Sequence, residues 1–221
     1  MSNFNIILAD DHTLFRSGIS ALLKDLSDID HIYEAGTGTE VISLVKARNG
    51  NIDVVILDLK MPEMTGVEVT RILRKDYPDI KIIILSMIDK EQVIAEMFKE
   101  GINAYLLKNC NEDILKQTVV DVLNKGFCFD NKTLSIIQKN NSSSKNQVDD
   151  NIFLTKREME LLNEIFHEYS MKDIANKLNI SVSTLETHKT NLLAKTKTRN
   201  THELIIYAIK SGLLDINILL H

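Results

Sequence analysis

Five side chains in the first half of the chain have types and spacing suited to phosphoryl chemistry: the pair Asp10-Asp11, then Asp58, Ser86 and Lys108. Each stands at the end of an apolar run, "FNIILA", "DVVIL", "KIIIL" and "AYLL" in turn. An acid placed directly after four buried apolar residues is costly unless it has a partner. Three acids brought together raise one another's pKa and call for a cation, and hard carboxylate oxygens suit Mg²⁺ better than softer metals. A hydroxyl and an ammonium beside them offer phosphoryl oxygens a donor and a counter-charge. Asp58 is then a candidate nucleophile that accepts a phosphoryl group as an acyl phosphate. Taken singly, each residue has a plainer use. Asp10 or Asp11 could cap the next helix, Ser86 could cap the one after strand four, and Lys108 could be solvated. Four coincident strand ends weigh against those uses together.

The elements that must position these residues alternate along the chain. Strand-like runs lie at 4–9, 31–35, 53–57, 81–85 and 104–107. Between them run helical periodicities, as in Leu14, Phe15, Ile19, Leu22, Leu23 and Leu26, with others at about 38–49, 65–75, 89–100 and 111–124. Five strands alternating with five helices predict an α/β domain with a doubly wound parallel sheet, whose ligands bind beyond the carboxyl ends of the strands. Only the second strand lacks a polar group at its tip. Met61-Pro62 separates Asp58 from its helix by a constrained loop.

Composition divides the chain. Residues 1–130 hold 14 Lys+Arg against 21 Asp+Glu, whereas residues 152–221 hold 9 against 8. Between them, "NKTLSIIQKNNSSSKNQVDDN" reads as a flexible linker over 131–151. The last part reads as all helix, in four segments. Thr155 and Glu158 form a capping-box pattern, and helices follow at about 171–178, 182–196 and 201–211. The "NIS" turn between the middle pair makes a helix-turn-helix pattern. With Leu185 and Leu192 inward, Ser183, Thr187, Thr190 and Asn191 point away, with Thr184 beside them and Glu186 at the margin. These are the candidates for contacts with DNA bases, while Lys189 and Lys195 are candidates for phosphates. Apolar Leu204, Ile205, Ala208 and Ile209 offer a dimer interface. Cys110 and Cys128 are too few for a disulfide framework and read as reduced thiols in a cytosolic chain. With no basic leader and no run of about 18 apolar residues, neither export nor a membrane span is expected.

The acidic pair, "LDLKMPEMTG", Leu85-Ser86 and "GINAYLLK" resemble the receiver domain of two-component response regulators, a flavodoxin-like fold, over about residues 4–125. The resemblance implies that a sensor histidine kinase phosphorylates Asp58, and that Mg²⁺ is held by Asp11, Asp58 and the main-chain oxygen of Lys60, with Asp10 acting mainly through water. It further implies that Ser86 and Lys108 read the phosphoryl group and that Tyr105 is an aromatic switch. "LTKRE", "KDIANKLNIS", "STLETH", "NLLAKT" and "GLL" resemble the LuxR-type helix-turn-helix. Receiver plus this module is the arrangement of the NarL/FixJ subfamily. It implies a phosphorylation-controlled transcriptional regulator that binds double-stranded promoter DNA as a homodimer when active. Such a protein is not an enzyme in its own right, although its receiver takes part in phosphoryl transfer to its own aspartate. The chain departs from the LuxR pattern at Glu186, usually basic, at Thr196, usually apolar, and at Lys197, usually glycine.

Three rival classes are weaker. A haloacid-dehalogenase-type phosphatase places a second acid where Lys60 stands, and a nucleotide-binding domain wants a glycine-rich turn that "LADDHTLFRS" lacks. A receiver whose helical output binds protein would separate from a DNA binder by the absence of salt-dependent DNA affinity.

Overall fold

The computed structural model describes residues 4–139, 154–167 and 170–214. Contacts divide the chain into two compact units, Met1–Leu123 and Asn124–His221.

The first unit has strands β1 (Phe4–Ala9), β2 (Ile29–Ala35), β3 (Val54–Leu57), β4 (Lys81–Ser86) and β5 (Ala104–Leu107). They alternate with helices α1 (Thr13–Leu23), α2 (Gly38–Ala47), α3 (Gly66–Asp76), α4 (Glu91–Lys99) and α5 (Glu112–Lys125). All pairings are parallel, in the order β2-β1-β3-β4-β5. The order reverses between β1 and β3, so a crevice opens at their carboxyl ends. Every residue of β3 is buried, as its unbroken apolar composition requires when helices cover both faces. Register then does the positioning. Ala9 pairs with both Ala35 and Leu57, and beyond the strands the ladder continues through Asp10 N–H to Ala35 O at 3.1 Å and Asp58 N–H to Ala9 O at 2.9 Å. On the other side Lys108 N–H donates to Ser86 O at 2.9 Å. The tips of β2, β1 and β3 are thus hydrogen-bonded in one set, and those of β4 and β5 in another.

Gly66 shows how closely α3 approaches the tip of β3. A Cβ there would stand 2.3 Å from the main-chain oxygen of Asp58, closer than any real contact. The helix can start so near because residue 66 has no Cβ, and Thr65 and Glu68 close its first turn with a capping box.

The second unit corrects the expected linker. Residues 131–139 are not linker but a helix, α6 (Asn131–Lys139), with Thr133, Leu134, Ile136 and Ile137 buried. Asp130 caps it, its carboxylate accepting from Thr133 N–H at 2.7 Å. The polar residues of "NKTLSIIQK" hid a helical apolar face. The boundary between units also falls before 130, after Leu123. The remainder of the expected linker, from residue 140 to 151, lies outside the described residues. Then follow α7 (Lys156–His167), α8 (Met171–Lys177), α9 (Val182–Thr196) and α10 (Thr201–Lys210). A stack of Phe127 on Phe129 and on Phe166 (centroids 5.1 and 5.8 Å), with Phe129 against His202, joins the segment before α6 to this bundle. Leu204, Ile205, Ala208 and Ile209 are buried in the unit's own core, where α10 packs against α6, α7 and α9. They are not the exposed dimer interface that the sequence suggested.

Candidate phosphoryl-acceptor site and nucleic-acid face

The sheet's carboxyl edge brings Asp10, Asp58, Ser86 and Lys108 together. Asp10, Asp58 and Ser86 are 1%, 5% and 1% exposed. Lys108 reaches in from β5 and places Nζ 2.6 Å from Asp58 Oδ2 and 2.7 Å from Asp10 Oδ2. Phe15 of α1 covers this ammonium, its ring centroid 5.0 Å from Nζ. Burial works against the charge on Lys108, yet its hydrogen bonds to Asp10 and Asp58 outweigh that and hold its pKa above the ordinary lysine value. The plainer uses of these residues are not the ones observed. The caps of α1 and α4 are His12 and Lys90, and the ammonium is buried.

His12 joins the acids, a residue the sequence reading passed over. Its Nδ1 is 2.7 Å from Asp11 Oδ1 and 3.2 Å from Asp10 Oδ1, and its N–H donates to Asp10 Oδ1 at 2.9 Å. Ligand atoms of Asp10, Asp11 and His12 lie within 4.8 Å of one another, and Asp58 stands outside that group, tied to Lys108. The signal for His12 was its adjacency to the acidic pair. Asp58 Oδ1 accepts from Lys60 N–H at 3.3 Å, which bends the loop back over the strand tip.

These residues fit a divalent cation. Asp10 and Asp58 face the Lys108 ammonium, and Asp11 stands beside Asp10 with His12, so carboxylates outnumber the one ammonium. Asp10 Oδ2 is buried, with Nζ of Lys108 2.7 Å away. Hard oxygens with an exposed entrance at Asp11, 39% exposed, match a partly hydrated Mg²⁺.

Tyr105 lies on β5, three residues before Lys108, and is buried, its hydroxyl donating to the main-chain oxygen of Ile88 at 2.6 Å. Burial pushes its phenol up to about 12, with Asp58 and Asp89 adding to the effect and a hydrogen bond with Ser86 opposing it.

In the second unit α8 and α9 make the helix-turn-helix. Ser181 caps α9, accepting from Thr184 N–H at 3.0 Å, while Leu185 and Leu192 are buried. Ser183, Thr184, Glu186, Thr187, Thr190 and Asn191 are all exposed. The hydroxyls of Thr187 and Thr190 donate to the carbonyls of Ser183 and Glu186, at 3.0 and 2.9 Å, which leaves their oxygen lone pairs and methyls facing outward. Glu186 lies 3.8 Å from Lys189, one turn on. Lys195 is placed otherwise than as a free phosphate contact. It bonds Glu158 Oε2 at 2.8 Å, tying α9 to the capping box that starts α7. The two other departures have local causes. Thr196 is buried with its hydroxyl donating to Leu192 O at 2.8 Å, and Lys197 holds φ 55°, the left-handed cap conformation that glycine favours.

Two family matches cover this arrangement: the response regulator receiver domain over residues 6–120, and the luxR family of bacterial regulatory proteins over residues 153–208. The chain belongs to the two-component response regulators. As a receiver joined to a LuxR-type helix-turn-helix, of the NarL/FixJ subfamily, it is a phosphorylation-controlled DNA-binding regulator of transcription. It is 35% identical to the oxygen regulatory protein NreC of Staphylococcus carnosus over 95% of this chain and 99% of that one. The NreC of Staphylococcus epidermidis is 36% identical, with the same coverage. Among solved structures, the response regulator ChrA of a heme-sensing two-component system aligns over 97% of this chain and 100% of its own, with TM-score 0.50 and 28% identity. RcsB of Salmonella typhimurium aligns over 94% and 98%, with TM-score 0.54 and 25% identity. Among the described residues no helix is long and apolar enough to cross a membrane.

Proposed function

We propose that Asp58 is the phosphoacceptor and that its modification, by a sensor histidine kinase, changes the DNA affinity of the α8–α9 face. The observation that carries this is the buried Asp58–Lys108–Asp10 bridge at the carboxyl edge of the sheet. In the transfer, the phosphorus–nitrogen bond of a phosphohistidine breaks as a bond forms between phosphorus and a carboxylate oxygen of Asp58. Lys108 masks Oδ2 of Asp58 before reaction, so the ammonium must swing from the carboxylate to a phosphoryl oxygen as the acyl phosphate forms. Ser86, whose hydroxyl accepts from Ile88 N–H at 3.4 Å, turns its donor toward a second phosphoryl oxygen. Tyr105 holds Ile88, so movement of Ser86 is felt by the loop that Tyr105 pins. Asp11, Asp58 and the main-chain oxygen of Lys60 would hold Mg²⁺, with Asp10 through water. When bound, Mg²⁺ supplies positive charge that offsets the phosphoryl oxygens and the acids.

On the DNA side, Ser183, Thr184, Thr187, Thr190 and Asn191 meet base edges, and Lys189 meets phosphate. Glu186 is best read as the partner of Lys189, since the two meet along the helix without help. The active form is a cytoplasmic homodimer. With the apolar face of α10 already buried, it pairs through a different surface.

The test is chemical. The protein is incubated with a small-molecule phosphodonor and Mg²⁺, reduced with borohydride and mapped by mass spectrometry. The adduct is expected on Asp58 and absent from Asp58→Asn; the same label in that variant overturns the assignment.

A further inference from the structure

The second strand was the one whose tip offered no polar group, yet it supplies one just inside its end. Glu34, the residue before Ala35, accepts from Arg16 Nε at 3.0 Å. Arg16 stands one turn into α1, and its Nη1 donates to the main-chain oxygen of Asp10 at 2.6 Å. Its side chain is only 14% exposed, while that of Glu34 is 37% exposed.

The carbonyl that Arg16 grips belongs to the peptide joining Asp10 to Asp11. A peptide is planar, so fixing that oxygen fixes the plane from which both acids leave the chain. β2 also holds the N–H of Asp10 through Ala35 O at 3.1 Å. The neighbouring turn is held in the same way, with Gly36 N–H donating to Glu40 Oε2 at 2.7 Å. A guanidinium suits this task because its fork of donors can serve a carboxylate and a carbonyl in fixed relative directions, which a single ammonium does not.

We propose that Arg16 and Glu34 are positioning residues whose clasp on the Asp10–Asp11 peptide sets the affinity of the acidic pocket for its cation. This rests on the reading of that pocket as a Mg²⁺ site. Neither residue touches the reacting atoms; they act through the direction of Asp10 and Asp11.

The full-length protein is titrated with Mg²⁺ by calorimetry, together with Arg16→Gln, Arg16→Lys, Glu34→Ala, the Arg16→Gln/Glu34→Ala pair and, as control, Asp11→Asn. Metal-free melting temperatures are recorded for each. Asp11→Asn is expected to lose binding. Arg16→Gln is expected to weaken binding roughly tenfold or more, as loss of an outer partner does for metal ligands. Arg16→Lys keeps the charge without the fork and is expected to weaken it too. Glu34→Ala, at a half-exposed position that a folded protein tolerates, is expected to weaken it in the same direction by less. The double variant is expected to match Arg16→Gln, because the two residues act as one unit. Wild-type affinity in both Arg16→Gln and Glu34→Ala, with Asp11→Asn still deficient, overturns the clasp and leaves the cation site standing. Full recovery in Arg16→Lys overturns positioning in favour of charge alone. Failure of the wild type to bind Mg²⁺ overturns the cation reading and the clasp with it.

Discussion

Replacing Lys108 by Met should unsettle the metal-free receiver more than any exposed substitution could. The ammonium is 8% exposed and is the shared counter-ion of Asp58 and Asp10, at 2.6 and 2.7 Å. Its loss leaves two nearly buried carboxylates facing each other, with Asp11 beside them. Removing one partner of a buried ion pair costs about 3–5 kcal/mol, against a domain stability of about 5–15 kcal/mol. The deficit should shrink when Mg²⁺ is added, because a divalent ion supplies the missing charge and meets no competing ammonium. At a hundredfold excess over its Kd a ligand adds about 2.7 kcal/mol. The assay is urea unfolding followed by circular dichroism, wild type against Lys108→Met, with and without Mg²⁺. The stabilisation by Mg²⁺ should be larger in the variant. A metal-free variant within about 0.5 kcal/mol of wild type, the range of ordinary surface changes, would refute the reasoning.

Three further outcomes are expected. Lys197→Gly should stabilise the second unit by about 1 kcal/mol in thermal unfolding, since φ 55° strains any residue with a Cβ. Glu186→Lys should tighten binding to all DNA sequences alike and steepen its salt dependence by about one phosphate contact; weakening confined to a cognate site would show instead that Glu186 reads a base. Lys108 and Tyr105 both have pKa values raised by folding, so the stability each lends is whole below about pH 10 and is lost as pH rises through its folded value, about 12 for the tyrosine. Tyr105→Phe should therefore lose less stability than wild type between pH 10 and 12 in urea unfolding.

Much of the receiver was legible because one physical rule governs it. A strand covered on both faces must be apolar, so a polar residue at the end of "VVIL" or "KIIIL" marks the strand's tip, and parallel register does the rest. Residues whose roles depend on side-chain reach were not legible. Phe15 reads as one more apolar position of α1, yet it roofs Lys108. Arg16 and Glu34 are eighteen residues apart and meet only because β2 lies beside β1. Lys195 reads as a surface cation, and only the packing of α7 on α9 brings Glu158 to it. The helix α6 was missed for a different reason. Asn, Gln and Lys around "TLSII" dominate its composition, while Leu134 and Ile137 mark the buried side by their spacing.

The central claim joins an event at Asp58 to DNA binding by another part of the chain. The most direct measurement is the affinity of the full-length protein for promoter DNA at fixed salt, before and after treatment with a phosphodonor and Mg²⁺, with Asp58→Asn in parallel. The account predicts a change in affinity for the wild type and none for Asp58→Asn. An equal change in both proteins, or no change in a wild type whose Asp58 is verified as phosphorylated, would contradict it.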